Sequence, residues 1–83
     1  MPLYFISYDL VKTKDYQKIF DELKRHGARR MIESNWCFKS ANSGEALALR
    51  DHFIKFIDPD DRIVVSEVTD WASLNLYDNP NNL

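Results

Sequence analysis

An α+β sandwich, with two helices on one face of a four-stranded antiparallel sheet, is predicted by three observations. The first is residues 3–10, LYFISYDL, an aromatic and branched run without glycine or internal proline, which is the composition of a strand. The second is a pair of helical apolar stripes, one between residues 15 and 26 and one between 43 and 57. The third is their order: strand, helix, strand, strand, helix, strand. Right-handed crossovers turn that order into a ferredoxin-like βαββαβ arrangement with the first strand central.

In the first strand Tyr4, Ile6, Tyr8 and Leu10 face one way, and Leu3, Phe5, Ser7 and Asp9 the other. The first set should lie under both helices. The second set has no cover within one chain, which predicts a homodimer. Residues 11–14 are a short loop, and Asp15 suits the N-cap of the first helix. There Tyr16, Ile19, Phe20 and Leu23 form the inward stripe. Lys24, Arg25 and His26 make a basic last turn that complements the helix dipole, with Gly27 as the residue that ends it.

Residues 28–34 read as the second strand, and Trp36, Cys37 and Phe38 as an aromatic third strand after a break near Asn35, joined by a tight hairpin or as one bent strand. Asn42 or Ser43 suits the cap of the second helix, whose inward stripe is Ala46, Leu49, Phe53, Phe56 and Ile57, with Leu47 and Ile54 at its flank. Pro59 ends it, because the residue before a proline is pushed out of the helical region. Residues 62–68 are the last clear strand and 70–76 a weaker extended piece. One domain over residues 1–76 is expected, with residues 77–83 a polar, flexible tail.

The totals narrow the function. Eighty-three residues bury only about 60% of their unfolded surface, so self-association would help this chain. Apolar content of 45% with 13% aromatics argues against disorder. A net charge of −2 provides no global attraction to nucleic acid, so a polyanion must be held by a local basic patch. The single cysteine excludes an internal disulfide framework and fits a reducing compartment. No membrane span or signal pattern is present, and a cytoplasmic location is expected.

Few residues carry candidate chemistry. Asp9 is a carboxylate at the end of an otherwise apolar strand; catalysis and a turn-stabilising role are both open to it. Lys24, Arg25, Arg29 and Arg30 form the sole basic run, read either as a phosphate-binding patch or, for Lys24 and Arg25, as a helix end favouring cations. Trp36 and Phe38 suit core packing ahead of base stacking. His26 and His52 have no second ligand at metal spacing, so neither reads as a zinc ligand. Cys37 reads as a buried thiol. Asp58, Asp60 and Asp61 lack the glycine and the later glutamate of a calcium loop and read as turn residues.

Residues 3–10, the run Lys24-Arg25-His26-Gly27-Ala28-Arg29-Arg30 and the segment Glu33-Ser34-Asn35-Trp36 together resemble the CRISPR-associated endonuclease of the spacer-acquisition complex. At Asp58-Pro59-Asp60-Asp61-Arg62 and Asp70-Trp71 the chain looks more like the stand-alone SinR-like relatives of that family. The resemblance implies a homodimer in which two strand-end aspartates approach across the interface and bind Mg²⁺, acting on RNA or DNA. It places Asp9 as the catalytic and metal-binding residue. It matches Arg30, Ser34 and Trp36 to a basic, a serine and an aromatic position, with Ser7 and Tyr8 beside Asp9 as supporting residues. An integrase partner is implied only if one is encoded nearby. A non-catalytic dimeric scaffold for nucleic acid or protein is the alternative.

Overall fold

The computed structural model describes residues 1–11 and 16–83. The expected loop at Lys12, Thr13 and Lys14 and the expected cap at Asp15 lie outside the described residues. Four strands, β1 (Leu3–Asp9), β2 (Arg29–Ile32), β3 (Asn35–Lys39) and β4 (Arg62–Val68), pair in the order β2-β3-β1-β4, all antiparallel. Helices α1 (Gln17–Arg25) and α2 (Ala46–Phe53) cross over between them, and a 3-10 turn, Ile54–Phe56, extends α2. This is the ferredoxin-like α+β sandwich that the element order predicts, with β1 central.

The alternation of β1 sorts its side chains as expected. Tyr4, Ile6 and Tyr8 are buried under the helices with Ile19, Leu23, Trp36, Phe38 and Phe53. Trp36 Nε1 donates to the Tyr8 hydroxyl (3.0 Å), so two large polar-tipped rings satisfy each other inside the core. Ala46, Leu49, Phe56 and Ile57 pack against the same cluster.

Gly27 ends α1 at φ +72, a conformation that a side chain would strain. The cap of α2 differs from expectation. Gly44, at φ +74, turns the chain so that Glu45 precedes the helix. The Ser43 hydroxyl donates to Glu67 on β4 instead, and the Glu45 N–H donates to the Tyr4 hydroxyl (3.0 Å). The second strand is also shorter than expected. A bulge follows Arg30, and Glu33 and Ser34 form a turn into β3 that Arg30 braces by donating to the Glu33 carbonyl (2.7 Å).

The second sheet face is not left bare, which corrects the expectation that nothing in the chain covers it. Residues 70–76 form no strand. Trp71 stands edge-on to Phe5 (6.5 Å between centroids), and Asn75, at φ +60, folds the chain back until the Tyr77 N–H donates to the Met31 carbonyl (2.9 Å). Residues 77–83 then run beside β2, with Pro80 buried in a terminal 3-10 turn, Pro80–Asn82. Half of the face is covered in this way. The other half, carrying Ser7, Asp9, Arg62 and Val64, stays open, and Val64 is 63% exposed.

Candidate active site

Asp9 is the last residue of β1, on the open face, and its register partner on β4 is Arg62. Arg62 Nη1 donates to Asp9 Oδ2 at 3.0 Å, with the Asp9 side chain 67% exposed and that of Arg62 71%. Solvent screens such a pair, so neither group is committed to the other. Ser7, Tyr8, Ile63 and Val64 complete a shallow groove around them. Two hydrogen bonds tie its floor to β3 and the turn before it: Asn35 donates to Ser7 Oγ (2.7 Å), and the Tyr8 N–H donates to the Ser34 carbonyl (3.1 Å). Asp61 braces the chain beyond the strand, accepting from the N–H groups of Val11 (2.7 Å) and Asp58 (2.8 Å). Arg62 is the member of this site that residue-by-residue reading passes over. Only the β1–β4 register sets it opposite Asp9.

The basic run does not converge on Asp9. Arg29 and Arg30 alternate across β2. Arg29 pairs with Asp78 (2.9 Å), while the Arg30 guanidinium lies 5.0 Å from the Phe20 ring, 5.9 Å from that of Tyr77, and reaches Glu33. Arg25 binds Glu22 through both oxygens (2.8 and 2.7 Å), and Lys24 is exposed. From Arg29, whose register runs through Cys37 to Phe5, Asp9 lies two strands across and four residues along, roughly 16 Å away. Trp36 and Phe38 are buried in the core, and Cys37 is buried with its thiol pushed up to about 11 by desolvation.

A second cluster lies at the far end of the molecule and overturns the reading of the histidines as isolated. Glu22 and His26, one turn apart on α1, meet His52 from α2. His26 Nε2 is 3.0 Å from Glu22 Oε2 and 3.4 Å from His52 Nε2, and His52 Nε2 also contacts Glu22 Oε2. Hydrogen bonds from Arg25 hold the Glu22 carboxyl well below the usual range, outweighing desolvation, with both histidines adding to them. Sequence spacing shows only the Glu22–His26 half, since His52 is 26 residues beyond His26 and arrives through the helix packing.

Residues 1–75 match the family model described as CRISPR associated protein Cas2. No solved structure matches the chain.

Proposed function

We propose, from the premise that the chain belongs to the CRISPR-associated protein Cas2 family, that it is a dimeric metal-dependent phosphodiesterase of nuclease type acting on RNA or DNA, with Asp9 as its catalytic carboxylate. The observation that carries this reading is the position of Asp9: exposed, at the end of the central strand, on the half of the sheet face that the chain leaves open, and 3.0 Å from a guanidinium. One carboxylate offers two oxygens and is a poor Mg²⁺ site alone. A second Asp9 across a two-fold axis makes the donor set of hard oxygens that Mg²⁺ requires, and the open half-face is where such a copy docks. When bound there, Mg²⁺ supplies an activated water and charge neutralisation at the phosphate. The chain's own residues do the rest. Asp9 would hold the ion, Arg62 would exchange its exposed contact with Asp9 for a phosphate oxygen, and Val64 borders the groove with exposed apolar surface. Arg29, Arg30, Lys24 and Arg25 serve as an outer track for the polyanion.

The pairing of Arg25, Arg29 and Arg30 with Glu22, Asp78 and Glu33 gives each phosphate contact an internal competitor, which favours the second reading, a non-catalytic scaffold, in its protein-binding form. The likeness of Asp58-Pro59-Asp60-Asp61-Arg62 and Asp70-Trp71 to SinR-like relatives supports a stand-alone role, and an integrase gene beside this one would argue for spacer acquisition. The test is cleavage of a generic RNA or duplex DNA with Mg²⁺ or Mn²⁺. The nuclease reading expects activity in the wild type and none in Asp9→Asn, whereas cleavage that survives Asp9→Asn in a clean preparation removes Asp9 from the mechanism. A wild type that binds nucleic acid and cuts nothing is the scaffold.

A further inference from the structure

The Glu22, His26 and His52 side chains bring one carboxylate oxygen and two imidazole nitrogens together within 4.8 Å of one another, at the end of the helical layer remote from Asp9. Tetrahedral coordination with bonds of about 2.0–2.1 Å sets neighbouring ligand atoms roughly 3.3 Å apart. The 3.4 Å between the two Nε2 atoms and the 3.0 Å from His26 Nε2 to Glu22 Oε2 are close to that edge, while the third side, from His52 Nε2 to Glu22 Oε2, is a short contact that must open to admit an ion. Both rings are wedged among aromatics: His26 against Phe38 and Phe53, His52 against Phe53 and Phe56, all at centroid distances of 5.2–6.3 Å. Their Nε2 atoms are therefore held in convergence rather than swinging free. We propose that Glu22, His26 and His52 bind one divalent transition-metal ion of the zinc class, bridging α1 to α2.

Two imidazoles and one carboxylate suit zinc, cobalt or nickel and not magnesium, so this site and the Asp9 site select different ions. Arg25 is the competing occupant of Glu22, yet its side chain is 69% exposed and its Nε bond goes to Oε1. It can keep Oε1 while Oε2 turns to the ion. The two histidine side chains are about 30% exposed, which opens a fourth position to water. Because the donors come from two helices, the site exists only in the folded chain, and the ion stabilises it by mass action.

The test uses the untagged full-length chain, loaded with Zn²⁺, desalted and assayed for metal, with Co²⁺ as a spectroscopic probe of ligand geometry. One zinc per chain is expected in the wild type and in Asp9→Asn, together with a rise in Tm that a chelator reverses. In His52→Gln, with circular dichroism confirming the fold, zinc affinity should fall by at least about a hundredfold and the visible cobalt bands should vanish. Zinc uptake by His52→Gln equal to that of the wild type overturns the proposal, as does a wild type that retains none. Since Asp9 takes no part, loss of nuclease activity in Asp9→Asn cannot be mistaken for loss of this site.

Discussion

Glu22 and Asp9 each lie within hydrogen-bond distance of an arginine, and there the likeness stops. The Glu22 side chain is 7% exposed, with Arg25 across both of its oxygens and two imidazoles on one of them. Asp9 is 67% exposed, with one screened contact to Arg62. Cys37 supplies the third case, a buried ionisable group whose one hydrogen bond is a long contact to the Arg29 carbonyl (3.6 Å), and its thiol is driven up by desolvation. Burial alone suppresses charge, burial with partners fixes it, and exposure leaves it available. Availability is what a carboxylate needs to meet an incoming ion and substrate; fixed placement is what it needs to complete a prebuilt ligand set.

Four measurements break or sharpen that contrast. The largest effect is on catalysis: Asp9→Asn should lower Mg²⁺-dependent cleavage by at least about a hundredfold, read in a single-turnover assay. Next, in urea unfolding of the metal-free chain, Glu22→Ala should cost about 2 kcal/mol, since it removes the buried carboxylate that two partly buried imidazoles share. Asp9→Asn should cost less than about 0.5 kcal/mol or stabilise. The reverse order would mean that Asp9, not Glu22, is the structural carboxylate. Third, Mg²⁺ at tenfold excess over its Kd should stabilise the wild-type dimer by about 1.4 kcal/mol, seen as a higher Tm, and should leave Asp9→Asn unmoved. A monomer by light scattering at micromolar concentration would remove the shared ion altogether.

The smallest effect concerns Cys37. Its thiol holds its proton up to about pH 11 in the folded chain, against 9.0 for the ordinary group. Above pH 9 the unfolded chain loses that proton first, so unfolding is favoured increasingly as the pH climbs towards 11. The expected loss is about 1 kcal/mol by pH 10, and Cys37→Ala should lack it. Equal pH profiles for the two proteins would show the thiol to be solvated.

Much of the fold was legible because each signal was local. The two-residue alternation of Tyr4, Ile6 and Tyr8, the stripe of Ile19 and Leu23, and Gly27 at the end of α1 all act within a turn or a strand. What escaped depended on pairs distant in sequence. Arg62 joins Asp9 only through a register spanning 53 residues, and His52 reaches Glu22 only when α2 lies beside α1. The capping role read for Ser43 failed for a similar reason: Glu67, on a strand 24 residues away, accepts from its hydroxyl. The cover over Phe5 was missed because Trp71 lies in a segment without periodicity, turned by Asn75.

The contact between Tyr77 and Met31 has a bearing on how far this chain can assemble. β2 is one border of the sheet, and the returning C-terminal segment takes up a backbone acceptor there and lays Tyr77 and Asp78 over Arg30 and Arg29. The opposite border, β4, has no such guard among the described residues. A sheet with two free borders invites endless edge-to-edge growth. With the Met31 carbonyl taken, β2 is the less inviting border, and β4 is the one left for strand addition. Trimming the chain back to Leu76 removes the Tyr77 and Asp78 contacts with β2 and should raise aggregation, read by light scattering.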